Sequence, residues 1–193
     1  IVSGDFYYFK KISEAEGGAN DVIIFAVADC TGHGVPGAFV SMLGISLLNE
    51  LTRKKEITKP NQVLEELRNQ IKKSLKQTGK VNESKDGMDI SLCVINQKTN
   101  ELEFAGAYNP LYIIRNTDSN NKNQKNITVI KADRQPIGIY VKEKPFKNNT
   151  FQLEKDDILY LFTDGYSDQC GGEKGKKYML KNFKNLLFSN STE

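Results

Sequence analysis

Three carboxylates in this sequence stand where a strand-like run meets a turn. Asp29 closes the apolar run Ile23-Ile24-Phe25-Ala26-Val27-Ala28 and is followed by Cys30-Thr31-Gly32-His33-Gly34-Val35-Pro36-Gly37. Asp164 closes a second run, Ile158-Leu159-Tyr160-Leu161-Phe162-Thr163, and is followed by Gly165; Asp5 stands just before Phe6-Tyr7-Tyr8-Phe9. Acids placed in this way are held at the edge of a core by stiff elements. When brought together they repel and raise one another's pKa unless a cation neutralises them. An all-oxygen set without paired Cys or a second His suits Mg²⁺ or Mn²⁺ and argues against zinc. Two such ions about 3.5 to 4 Å apart can activate a bridging water and clamp a phosphoryl oxygen, so the expected reaction class is hydrolysis of a phosphate ester with no Ser or Cys nucleophile. His33, the single histidine, is read either as a polar group near that water or the leaving oxygen, or as a turn residue at a helix start.

The elements that must position these acids follow from periodicity. A run apolar at every position, as over 22–28, predicts a strand buried on both faces. The polar stretch 14–20 with Gly17-Gly18 predicts a turn that pairs 6–9 with 22–28 as a hairpin and brings Asp5 beside Asp29. Pro36 suits the first position of a helix, whose expected buried stripe is Phe39, Met42, Leu43, Ser46, Leu47 and Leu51. Pro60 starts a second helix with Thr58 near its cap and Val63, Leu64, Leu67, Ile71 and Leu75 inward. Strands are then expected over 89–95, 101–107, 111–115, 127–131, 146–153 and 158–162. The polar stretch 116–126 is a hairpin tip, and a helix over 178–188 closes the chain. Two helices followed by many strands predict an α+β sandwich. Asp89, at a strand start, is read equally as a partner of the site and as a turn acid; Asp168 is read as a surface residue.

Composition narrows the function classes. With 193 residues, 1–193 reads as one domain. The 27 Lys and Arg against 24 Asp and Glu give only +3, and the basic residues are scattered, which excludes nucleic acid as the expected partner. Cys30, Cys93 and Cys170 form no CxxC pair, so neither structural zinc nor a disulfide framework is expected, and a reducing, cytoplasmic setting fits. Apolar runs such as 22–28 are too short to span a bilayer. The chain opens on Ile1-Val2 and reads as a fragment of a longer protein, whose parent could be anchored to a membrane.

Several motifs together carry a family resemblance. Ser3-Gly4-Asp5-Phe6-Tyr7, the Ala28 to Gly37 stretch, Asp86-Gly87-Met88-Asp89-Ile90, Ala105-Gly106-Ala107-Tyr108-Asn109-Pro110-Leu111, Pro136-Ile137-Gly138 and Thr163-Asp164-Gly165 occur in order over nearly the whole chain. The series resembles that of SpoIIE-like (RsbU-like) serine phosphatases, a bacterial branch of the PPM metal-dependent protein phosphatases. The resemblance implies a PPM-like antiparallel β-sandwich flanked by helices, truncated at both termini, with a binuclear Mn²⁺ or Mg²⁺ centre between the sheets. Asp5 and Asp29 match the metal-bridging acids, the backbone carbonyl of Cys30 a main-chain ligand, and Asp164 the acid of the other metal. The implied activity is hydrolysis, by metal-activated water, of phosphoserine or phosphothreonine on an anti-anti-sigma (STAS) type regulatory protein. An upstream sensory domain in the same chain is the implied controller, and a homodimer is left open. The chain departs from the pattern in lacking the family's closing Asp-Asp strand, and it carries Asn109 near where broader PPM enzymes have a third-metal acid. The rival expectation is a catalytically weak phosphoprotein-binding or regulatory module.

Overall fold

The computed structural model describes residues 4–13, 21–53, 59–80, 83, 85–116, 125–172 and 175–191. The expected turn at 14–20, most of the hairpin tip at 116–126 and Thr58 lie outside the described residues. The expected sandwich is present. Strands β1 (Phe6–Ile12), β2 (Val22–Cys30), β3 (Met88–Asn96), β4 (Glu101–Ala107) and β7 (Asn149–Gln152) form a five-stranded sheet in the order β1-β2-β3-β4-β7. Strands β5 (Leu111–Asn116), β6 (Lys125–Ile130) and β8 (Ile158–Tyr160) form a three-stranded sheet in the order β6-β5-β8. All these pairings are antiparallel. Helices α1 (Gly34–Leu51) and α2 (Pro60–Ser74) pack on the larger sheet, while a short ribbon of β9 (Cys170–Gly171) and β10 (Lys176–Lys177) precedes α3 (Leu180–Asn190).

Side-chain alternation assigns the two faces of the larger sheet. Ile24, Ala26, Ala28 and Cys30 of β2 are buried in one cluster with Leu48, Leu51, Leu64, Leu67 and Ile71 of the helices. Phe25 faces the other way, onto a cluster of Cys93, Leu102, Phe104, Leu111, Ile113 and Ile130 between the sheets. Burial of β2 on both faces was expected, but the inter-sheet face is only half-buried. Three strands cannot cover five, and on the uncovered side of β1 Tyr7 is 82% and Phe9 65% exposed.

Helix α1 corrects the sequence reading in two ways. It begins at Gly34, two residues before Pro36. Its buried residues include Val40, Ser41, Gly44, Leu47, Leu48 and Leu51, whereas Phe39 and Met42 are 68% and 67% exposed. Apolar residues occur nearly all round this helix, so periodicity alone could not select the inward face. Close approach does. A Cβ on Gly44 would lie 2.8 Å from Met88 and 3.2 Å from Phe6, so the small residue must face the sheet. By length and composition α1 could cross a membrane, yet it lays Val40, Leu48 and Leu51 against β-sheet side chains. Helix α2 matches the expected pattern, with Pro60 in its first turn and Val63, Leu64, Leu67 and Ile71 buried.

The segment 131–148 has no regular structure but is held from both sides. Asp133 bonds backbone to backbone with Gly106 and Tyr108, each at 2.9 Å, and Ile137 pairs with Met88 at 2.8 and 3.0 Å. From α2, Arg68 donates Nη1 to Gln135 Oε1 and to the Lys144 carbonyl, both at 3.2 Å, pairs with Glu65, and lies 4.7 Å over the Phe146 ring. Glu65 in turn accepts the Phe146 N–H at 2.6 Å. A buried guanidinium that loses its place leaves acceptors unpaired, which costs more than the bond itself contributes. Arg68→Ala is therefore expected to lower unfolding free energy by about 2–4 kcal/mol in urea titration. A loss below about 1 kcal/mol would show that this anchor is not what holds the segment.

Candidate functional site

Register arithmetic assembles the site. Phe6 lies opposite Ala28 in the β1–β2 ladder, so the next position out places Asp5 opposite Asp29. In the β2–β3 ladder Asp29 is the direct partner of Asp89. Directly opposed residues share a face. Asp5, Asp29 and Asp89 therefore stand in a row across three adjacent strands, on the parity of Phe25 and Val27, the face turned toward the smaller sheet. Asp164 comes from the loop after β8, on that opposite sheet. The Thr163 hydroxyl donates to Asp5 Oδ2 at 3.0 Å, and a Cβ on Gly165 would lie 3.8 Å from the same oxygen. Front, middle and back of the chain thus meet at one end of the sandwich.

Electrostatics bear out this crowding. The Asp29 carboxyl is pushed up to about 7, first by burial, then by a hydrogen bond with Asp5 and by the charges of Asp5, Asp164 and Asp89. Asp89 is pushed up to about 6, by burial and then by Asp164. A hydrogen bond between two carboxyls requires one of them to keep its proton.

Glycines and loop bonds bring the backbone in. A Cβ on Gly4 would lie 2.7 Å from the Cys30 carbonyl oxygen and 3.0 Å from that of Gly32, so only glycine lets the segment before Asp5 run so close to the turn after Asp29. Thr31 stitches the turn to the loop before β3. Its N–H donates to the Gly87 carbonyl at 3.0 Å, its hydroxyl accepts the Gly87 N–H at 3.0 Å, and that hydroxyl reaches Asp86 Oδ1 at 3.1 Å. The Cys30 thiol belongs to the core and is pushed up to about 12 by burial and the neighbouring acids, so it is no nucleophile.

Of the residues singled out in the sequence, Asp5, Asp29 and Asp164 come together. His33 does not join them: it is exposed at the N-cap of α1, makes no side-chain cap bond, and is not among the groups acting on Asp29 or Asp89. Asp168 pairs with Lys177 at 2.6 Å, the surface role expected of it. Asn109 contributes its backbone oxygen to Ser91 Oγ at 2.8 Å. Asp89, read in the sequence equally as a partner of the site and as a turn acid, lies directly opposite Asp29 in the β2–β3 register. As placed, no group of three or more His, Cys, Asp or Glu side chains among the described residues is set to hold a metal ion. The donor chemistry nevertheless fits hard divalent cations. Four carboxylates and a nearby carbonyl make a site whose charge a cation would balance better than a proton does.

Comparison with known proteins bears on the family and the fold. The family model described as stage II sporulation protein E (SpoIIE) matches residues 19–192. The SiaA-PP2C domain of Pseudomonas aeruginosa shares 26% identity at a TM-score of 0.79, over 100% of this chain and 68% of that one. The PP2C phosphatase domain and a regulatory-domain fragment of the cell fate determinant SpoIIE from Bacillus subtilis shares 19% at a TM-score of 0.68, over 100% of this chain and 48% of that one. RsbX in complex with magnesium shares 16% at a TM-score of 0.61, over 100% of this chain and 83% of that one. The latter two likenesses speak for the fold. Among curated proteins nothing matches.

The shared proton gives a stability signature. Unfolded, Asp29 and Asp89 titrate near 3.8; folded without a cation they hold protons up to about 7 and 6. In that window the native state binds more protons than the unfolded one, so their contribution is full below about pH 4 and is lost as pH rises through about 6 to 7. In chelator, the thermal midpoint is expected to fall between about pH 5 and pH 8, and to fall less in Asp29→Asn; Mg²⁺ should recover the loss at the higher pH. Equal slopes for the two proteins would contradict the crowded row.

Proposed function

Because the chain belongs to the SpoIIE family, whose model spans residues 19–192, we propose that it is a protein phosphatase domain. We further propose that it hydrolyses phosphoserine or phosphothreonine with Mn²⁺ or Mg²⁺. The observation that carries this reading is the row Asp5, Asp29, Asp89 faced by Asp164 from the other sheet. An anionic phosphate ester would be repelled by four bare carboxylates, so the acids need cations to accept this substrate. Asp5, Asp29, Asp164 and the Cys30 carbonyl would hold them. When bound, divalent cations supply Lewis-acid charge that acidifies water and draws charge from phosphoryl oxygens.

The chain's own groups have separate tasks. With cations held there, Asp5 and Asp29 would both be anionic, the proton favoured on Asp29 by burial and by Asp5 passing to solvent. Thr163 orients Asp5 through its hydroxyl and thereby ties the loop of the smaller sheet to the row. Thr31 fixes the turn after Asp29 against Gly87, which keeps the Cys30 carbonyl and Asp89 at the same end of the sheet. The Cys30 thiol lies in the core and is no nucleophile, which favours water as the attacking group.

The resemblance supports a phosphorylated STAS-type protein as substrate and control by a sensory domain elsewhere in a longer parent chain, and the widely spaced cysteines support a reducing, cytoplasmic setting. The binding-module reading draws on one observation, the lack of a closed cage among the described residues. One assay decides. The chain is expected to hydrolyse p-nitrophenyl phosphate and a phosphoserine peptide with Mn²⁺ or Mg²⁺, to lose both activities in EDTA, and to lose on the order of 100-fold or more in Asp29→Asn and in Asp164→Asn, as removal of several kcal/mol of charge stabilisation requires. Peptide capture without turnover would favour the binding module; turnover surviving EDTA and both substitutions would reject the assignment.

A further inference from the structure

One cation beside the carboxylates is left without a task. Arg134 is exposed and carries no ion pair among the described residues. Its backbone is nonetheless fixed on both sides. Asp133 is bonded to Gly106 and Tyr108, while the Gln135 side chain is buried under Arg68 and exchanges two 2.8 Å bonds with the Lys144 backbone. An Arg whose neighbours are both anchored has a short list of places its guanidinium can reach.

One of those places is Tyr108. This residue has φ +57, a left-handed conformation that costs a bulky side chain energy and tends to persist where function requires it. The Tyr140 hydroxyl is the main influence on that of Tyr108 and raises its pKa. In the β3–β4 ladder Ala107 pairs with Ile90, so the next position out sets Tyr108 beside Asp89, and the Tyr108 N–H donates to the carbonyl of Asp133, the residue before Arg134, at 2.9 Å. Tyr108 and Tyr140 are 43% and 37% exposed, so this pair forms an open wall and not a core contact. Asp89 is itself the ladder partner of Asp29. The sequence of neighbours Arg134, Tyr108, Asp89, Asp29 therefore leads from the pinned segment to the carboxylate row. On the Asp164 side Lys177, whose charge Asp164 also feels, is already held by Asp168 at 2.6 Å.

We propose that Arg134, presented by the pinned segment 131–148 beside the Tyr108–Tyr140 pair, is the side chain that takes the phosphoryl oxygens of an incoming phosphoserine or phosphothreonine. The inference rests on the phosphatase reading for what happens next, but not for the binding itself. A guanidinium matches two phosphoryl oxygens with two parallel N–H donors, and it stays ionised whatever the acids beside it do. The tyrosine pair is the positioning element: it limits the side on which the guanidinium can lie and gives the peptide an aromatic surface. Placed at the Asp89 end of the row, Arg134 holds the dianionic end of the substrate over acids that would otherwise repel it.

The test separates binding from turnover. A peptide carrying non-hydrolysable phosphonomethylalanine in place of phosphoserine is titrated, with Mg²⁺ present, into the 193-residue chain and into Arg134→Ala and Arg134→Lys, each checked for an unchanged thermal midpoint. The same peptide with serine is the control. Loss of a charge-assisted contact predicts binding weaker by about 10- to 100-fold in Arg134→Ala, an intermediate loss in Arg134→Lys, and no change for the serine peptide. In parallel, KM for the phosphoserine peptide should rise in Arg134→Ala by more than kcat falls. Equal phosphonate affinity in wild type and Arg134→Ala overturns the proposal even if the enzyme turns over. No phosphonate binding by the wild-type chain overturns it as well. Phosphonate binding that depends on Arg134 in a chain without turnover upholds the recognition site and rejects the phosphatase reading instead.

Discussion

Like charges held abreast by strand registry are the constraint on which the molecule turns. A β-ladder leaves directly opposed residues no freedom to separate, because their backbones are bonded to each other. Once Ala28 pairs with Phe6 and Ala28 with Ile90, Asp5, Asp29 and Asp89 must share one edge whatever their charges prefer. Burial first, and then the neighbouring acids, push the Asp29 carboxyl up to about 7. Such an arrangement stabilises nothing by itself. It persists because the apolar rungs beneath it, on both faces of the larger sheet, contribute far more than the acids take away.

The rest of the fold serves that edge by close approach and by pinning. Gly44 lets α1 settle on Phe6 and Met88, which hold β1 and β3 in place under the acids. Gly87 has room for no side chain at all, since a Cβ there would lie within 2.2 Å of the Ile137 carbonyl oxygen; this locks the segment 131–148 to the start of β3. The bidentate pair of Arg115 with Asp157, at 2.8 and 2.7 Å, fixes β5 to the start of β8 and so sets where the Asp164 loop begins. Arg68 does the same for the segment that carries Arg134. Rigid anchoring of an irregular segment next to a charged edge is how a scaffold presents a recognition residue without a regular element.

Much of this is legible in the sequence. The hairpin that joins Asp5 to Asp29 follows from two strand-like runs around a polar turn, and Asp164 from the second apolar run ending in an acid and a glycine. The positions of most strands along the chain and both α-helices that cover the sheet are also readable from periodicity, while the order of the strands within the sheets is not. What the sequence could not disclose depends on three-dimensional choices. The inward face of α1 was misjudged because its apolar residues run nearly all round, and Gly44, not a large side chain, marks the contact. The site role of Asp89 needed the β2–β3 register, which the Thr31 to Gly87 bonds close across a long chain separation. Strand β8 ends at Tyr160, so Asp164 reaches the row from a loop and not from the strand end. Arg134 left no pattern at all: an exposed arginine in an aperiodic stretch looks like any solvated charge.

The central claim is that Asp5, Asp29 and Asp164 jointly hold divalent cations at the open end of the sandwich. It is tested most directly by the anomalous difference map of crystals grown with Mn²⁺. The account predicts peaks bounded by these three carboxylates and the Cys30 carbonyl, with the Asp5 to Asp29 hydrogen bond replaced by contacts to the ion. Mn²⁺ bound only elsewhere, with Asp5 and Asp29 still sharing a proton, would contradict it.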